Sequence, residues 1–105
     1  MTALPISSPR LVGPVLRTGE FAEAVIEAIH EDNPGKDVVV DEHASYVRIH
    51  TEGECMIRRA TMESILGRSF DMQEMELNMS AFSGQIDTAD DYVRFFLMKG
   101  KLPQA

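Results

Sequence analysis

The chain has little of several things on which common chemistries depend. Among its 105 residues there is one cysteine, Cys55, so it cannot by itself build a disulfide, a cysteine-rich zinc site or an iron–sulfur cluster. Basic residues number ten against seventeen acidic ones, and the resulting charge of −7 repels a phosphate backbone, which argues against nucleic-acid binding. No apolar run approaches the ~20 residues of a membrane span. Residues 1–10, with two prolines and two serines, lack the basic start and apolar stretch of a signal peptide and read as a flexible leader. G-x-S-x-G, Walker A and G-x-G-x-x-G motifs are missing. These absences point to a cytoplasmic protein without membrane attachment, in a reducing compartment.

What is present suits one small globular domain. Hydrophobic residues make up 44% and charged residues 26%, which excludes wholesale disorder, and a chain of this size buries roughly two-thirds of its surface. Leu11–Leu16 is apolar enough for a strand, and Pro14, lacking a backbone donor, places it at a sheet edge or strand end. Thr18 is a candidate cap for a helix from about Gly19 to Asp32. Phe21, Ala22, Val25, Ile26, Ala28 and Ile29 share its apolar face, and Glu20, Glu23, Glu27 and Glu31 share the other. Asn33-Pro34-Gly35 stops it.

Val38–Val40 and Tyr46–His50 read as a hairpin, with Val47 and Ile49 inward and Arg48 and His50 outward. Cys55–Ile57 is a third strand. Arg59–Leu66 is a helix closed by Gly67, and Ser69–Met75 offers one helical turn. Leu77–Phe82, Ser83–Ile86 and Tyr92–Leu97 alternate as strands, with Val93, Phe95 and Leu97 in the core and Phe96 on the opposite face. Interleaved helices and strands with short connections make the fold class α+β. The domain is expected over 11–98, with a tail at 99–105.

Candidate chemistry is sparse. Glu27-Ala28-Ile29-His30 has the E-x-x-H spacing of diiron carboxylate bundles, but such a site needs two of these motifs and glutamates from two more helices. Glu27 also belongs to a solvated acidic stripe. His43 and His50 have no ligand partner at zinc spacing. Cys55, between Glu54 and Met56, suits a small core hydrophobe better than a nucleophile. Met62, Met72, Met75 and Met79 could line an adaptable binding surface, although methionine more commonly fills cores. The residues alone describe a domain without metal or organic cofactor that binds something. The alternative is a small stand-alone metal- or ligand-binding domain using Glu27, His30 and His50.

Several landmarks occur together in one order. Val12-Gly13-Pro14-Val15-Leu16-Arg17 precedes an acidic helix that runs into Glu31-Asp32-Asn33-Pro34-Gly35-Lys36. Tyr46-Val47-Arg48-Ile49, Glu52-Gly53-Glu54, Leu66-Gly67-Arg68-Ser69-Phe70 and Asn78-Met79-Ser80-Ala81-Phe82-Ser83-Gly84-Gln85-Ile86 follow. From about residue 12 to 97 the chain resembles the effector (coupling, or regulatory) proteins of bacterial multicomponent diiron monooxygenases. These serve methane, phenol, toluene, alkene and isoprene oxidation. The short leader resembles the toluene, alkene and isoprene type. Arg58 departs from the pattern, since related chains often carry a threonine there that could cap the second helix.

The resemblance implies a compact α+β domain of two small, mainly antiparallel sheets packed with two to three helices. It implies a non-enzymatic subunit that docks on the diiron hydroxylase, reshapes its active site and couples NADH oxidation to hydrocarbon oxidation. The metal then belongs to the hydroxylase, and a Rieske-type ferredoxin competes for an overlapping surface. Partner contact is expected at the Asn33, Pro34, Gly35 corner and along Asn78, Ser80, Phe82, Gly84 and Gln85. For Asn33 and Gly35 a plain helix stop explains the sequence equally well. Asn78 and Ser80 are assigned to contact as the polar face of a central strand, Gly84 permits close backbone approach, and Phe82 stands equally as core or anchor.

Overall fold

A computed structural model describes residues 10–97, and its elements follow closely from local pattern. In order they are β1 (Leu11–Arg17), α1 (Glu20–Asp32), β2 (Val39–Glu42), β3 (Tyr46–Glu52), β4 (Glu54–Arg58), α2 (Arg59–Leu66), α3 (Met72–Asn78), β5 (Met79–Ser83), β6 (Gln85–Thr88) and β7 (Tyr92–Phe96). The strands form two antiparallel sheets, a four-stranded one in the order β2-β3-β1-β5 and a three-stranded one in the order β4-β7-β6. The fold is α+β, as expected. The leader up to residue 9, residue 98 and the tail 99–105 lie outside the described residues.

The chain passes from one sheet to the other at Gly53 and again at Gly84, so β3–β4 and β5–β6 are corners between the sheets. Gly84 has φ +93, and a Cβ there would lie 2.6 Å from Val12 Cγ1 and 2.9 Å from the Phe96 carbonyl oxygen. No other residue closes that corner without moving its neighbours.

Between the sheets and the helices lies one core. Val12, Leu16, Val47 and Ile49 from the first sheet meet Cys55, Ile57, Val93 and Phe95 from the second. Helix α1 adds Ala22, Ala24, Val25, Ala28 and Ile29, and Met62, Phe70, Met72 and Met75 close the remaining side. Three of the four neighbouring methionines are therefore core, and Met79 is half-buried. Deleting a fully buried chain such as Phe95 typically costs about 3–5 kcal/mol.

Four local readings change. Pro14 is not at an edge, because β1 lies between β3 and β5. The β1–β3 ladder skips Gly13 and Pro14, going from Val12↔Thr51 to Val15↔Arg48, so the missing proline donor falls in a gap. Gly13 lets the strands close up there, since a Cβ would lie 2.2 Å from the Ile49 carbonyl oxygen. Thr18 does not cap α1; its hydroxyl donates to the His43 carbonyl at 3.3 Å, and the cap position is Gly19 with no side-chain bond. His50 is not outward-facing solvent surface: only 3% of it is exposed. The absent side chain at Gly13 leaves the imidazole room, and β2 covers its other flank through the Val39↔His50 pair.

The fourth change concerns α3. The helix begins after Asp71, whose carboxylate accepts from the Gln73 N–H at 2.9 Å, and it runs on through Asn78. Leu77 and Asn78 are thus helical, not strand residues. β5 starts at Met79 and is an edge strand, not a central one.

Candidate functional site

The two expected contact regions are built differently. At the end of α1, Asn33 is turned inward, 6% exposed, with its amide fully occupied. Nδ2 donates to the Ile29 carbonyl at 2.8 Å and the Met56 carbonyl at 2.9 Å, while Oδ1 accepts from the Met56 N–H at 2.9 Å. Asn33 therefore pairs with β4 as a short piece of strand would, and it holds the corner without presenting its own side chain. Pro34 and Gly35 are exposed on that corner.

Next to it, Asp32 answers the departure at Arg58. Its carboxylate accepts from the Arg58 N–H at 2.8 Å and from the Thr61 hydroxyl at 2.7 Å. The cap of α2 thus comes from the end of α1, with a negative charge at the positive end of the helix.

The second region is surface throughout. Between Leu77 and Ile86 none of ten consecutive residues is charged and none is fully buried. Asn78 closes the last turn of α3, donating through Nδ2 to the Glu74 carbonyl at 2.9 Å. Ser80 is the extra residue of a β-bulge: Leu16 pairs with Met79 and Val15 with Ala81, leaving Ser80 between them. Its hydroxyl reaches the Val15 carbonyl at 3.4 Å, and bulges of this kind re-aim side chains on edge strands. Phe82 pairs with Pro14 and sits 5.8 Å, ring to ring, from the core Phe95, yet 42% of it is exposed. It is partly core and partly surface. Gly84 and Gln85 follow on the exposed corner.

Leu77 was not among the expected contact residues. It is 77% exposed at the outer pole of α3, opposite buried Met72 and Met75. The signal was present in the sequence. Once Asp71 is read as the cap, Leu77 falls off the methionine stripe, and the uncharged stretch begins with it. The helix placed one turn too early hid both.

Nothing comparable assembles around the candidate metal ligands. Glu27 and His30 are exposed on α1, while His50 is buried in the first sheet with Nε2 unpartnered. Among the described residues, no three His, Cys, Asp or Glu side chains gather where they could hold a metal ion. Burial pushes the Cys55 thiol up to about 12, which keeps it protonated and unreactive at neutral pH. Burial, then neighbouring Arg48, pulls the His50 imidazole below its ordinary 6.5. At Arg68 a two-pronged bond to Glu74, at 3.0 and 2.6 Å, lowers that carboxyl and ties the α2–α3 loop to α3. These groups support structure, and the exposed neutral edge remains the distinctive surface.

Comparison with known proteins shows the family. The sequence profile of the MmoB/DmpM family matches residues 10–96. The chain belongs to the MmoB/DmpM family. One relative in it, the effector subunit of the alkene monooxygenase system of Xanthobacter autotrophicus, is 49% identical over 86 residues, covering 82% of this chain and 85% of its own. Another, the stimulatory component DmpM of phenol 2-monooxygenase from a Pseudomonas species, is 40% identical over 87 residues, covering 83% and 92%. A chain of the phenol hydroxylase–regulatory protein complex superposes with a TM-score of 0.73 at 35% identity, covering 82% of this chain and 97% of that one. Soluble methane monooxygenase regulatory protein B has the same fold, with a TM-score of 0.67 at 21% identity over 96% of this chain and 74% of that one. The alkene and phenol monooxygenase relatives are effector and stimulatory components, and this chain is a regulatory component of that kind, not a catalyst. No described helix is long and apolar enough to cross a membrane.

Proposed function

We propose that this chain is the effector of a multicomponent monooxygenase. It docks on the diiron hydroxylase, reshapes the active site and couples NADH oxidation to hydroxylation or epoxidation of a hydrocarbon. The observation that carries the reading is the exposed, charge-free edge from Leu77 to Ile86 in a chain that is otherwise strongly acidic. Interface cores are depleted of charge, and this stretch carries none; Met79 and Phe82 are of the residue types enriched there. Family membership supports the kind of partner. The Pro34–Gly35 corner, braced by Asn33, is a second contact point in this reading.

Docking shifts the hydroxylase only by the difference between the effector's affinities for its two states. Moving a resting population from 1:99 to 99:1 takes about 5.5 kcal/mol of that difference. A neutral, preorganised surface supplies it without burying unpaired charge. A Rieske-type ferredoxin shares part of the same hydroxylase surface, so effector and electron donor exclude one another. The complex works in the cytoplasm, with its metal held by the hydroxylase.

Titration of the chain into its hydroxylase, ferredoxin and reductase tests this directly. Product formed per NADH consumed rises to a plateau as effector approaches the hydroxylase concentration. If rate and coupling both stay at their effector-free values, the reading is wrong.

A further inference from the structure

Leu77 has no structural reason to be leucine. The buried stripe of α3 is Met72 and Met75, one turn apart, and a residue two places beyond Met75 points the opposite way. The helix is closed at both ends without it, by Asp71 at the start and by the Asn78 amide at the finish. A polar residue would serve the fold as well, so the apolar side chain is free to meet a partner.

Its surroundings say what it meets. It opens the uncharged stretch, and of the three large apolar residues that stand exposed among the described residues, Leu77, Phe82 and Val40, two lie in that stretch. Phe82 is held by Phe95 and Pro14, so it offers a fixed half-face. Leu77 stands free. Five residues of chain separate them by at most about 18 Å, within one interface of ordinary size, about 800 Å² per partner.

We infer that Leu77 is the principal apolar anchor of the docking surface, entering an apolar recess on the hydroxylase, with Phe82 packing beside it. The inference rests on the docking function proposed above and adds the residue that contributes most among its apolar contacts. Binding energy is concentrated in a few central contacts, and neighbouring ones serve mainly to exclude water from them.

The test uses the full chain and the purified hydroxylase of the same monooxygenase. Dissociation constants are measured by calorimetry for wild type, Leu77→Ala, Leu77→Gln and Val40→Ala. Both Leu77 variants weaken binding at least tenfold with unchanged melting temperature, and saturating amounts of either restore full coupling. Val40→Ala, on the opposite edge strand, binds as wild type does. Leu77 variants that bind within twofold of wild type overturn the anchor while leaving docking intact. An equal loss with Val40→Ala overturns it too, because the effect is then general surface hydrophobicity. A wild-type chain that does not bind the hydroxylase overturns the docking function and the anchor with it.

Discussion

At the scale of single residues, Asn33 and His50 carry more of the fold than their positions in the sequence suggest. Asn33 stands in a helix-stopping tripeptide, yet its amide makes three bonds that join α1 to β4. Asn33→Ala leaves the Met56 N–H and carbonyl without that partner, and each unmade buried bond costs about 1–3 kcal/mol. The expected loss is about 2 kcal/mol or more in urea unfolding, with the Pro34–Gly35 corner loosened. His50 gives the protein a pH dependence whose sign is fixed. Its folded-state pKa is depressed, by burial first and Arg48 second, with the Gly13 backbone and Asp41 opposing. Below the ordinary 6.5 the unfolded chain takes up a proton that the folded chain refuses, so stability is complete above that value and declines as pH falls below it. The urea midpoint of wild type should drop between about pH 7.5 and 5.5, and that of His50→Gln should drop less.

Elements show where local pattern suffices and where it does not. The 3.6-residue stripe of α1, the alternation of β7 and of β3 as far as Ile49, and the Gly67 stop of α2 are properties of neighbouring residues and are legible in the sequence. Which sheet a strand joins is decided by residues far away in sequence. Pro14 reads as an edge residue by its own chemistry, and only the gap in the β3 ladder opposite it admits a central position. Alternation of polar and apolar residues predicts one strand through Asn78 and Ser80, but the Asp71 cap extends the helix through Asn78. Of the expected contacts, Ser80 and Phe82 lie on the edge strand β5, Gly84 and Gln85 lie past the corner into the second sheet, and Asn33 is turned inward. The cap of α2 was equally invisible locally, since Asp32 comes from 26 residues before Arg58. Asp32→Ala should cost about 1–2 kcal/mol, seen as a lower melting temperature and faster amide exchange in the first turn of α2.

Over the whole molecule, charge is unevenly distributed along the chain. The acidic stripe of α1, with Glu20, Glu23, Glu27 and Glu31, lies far in sequence from the uncharged residues 77–86, which Glu76 and Asp87 bound on either side. The net charge of −7 keeps such a protein soluble while one uncharged edge stays exposed. At its far end β5 turns through Gly84, which packs directly on Val12 and the Phe96 backbone and so ties that edge to the core. Preorganisation of this kind lowers the ordering cost of association.

The most direct test of this account is amide hydrogen exchange of the full chain with and without its hydroxylase. The account predicts slowed exchange across Leu77–Ile86, strongest along β5, with the acidic face of α1 unchanged. Protection confined to α1 and α2, with Leu77–Ile86 exchanging as in the free protein, would contradict it.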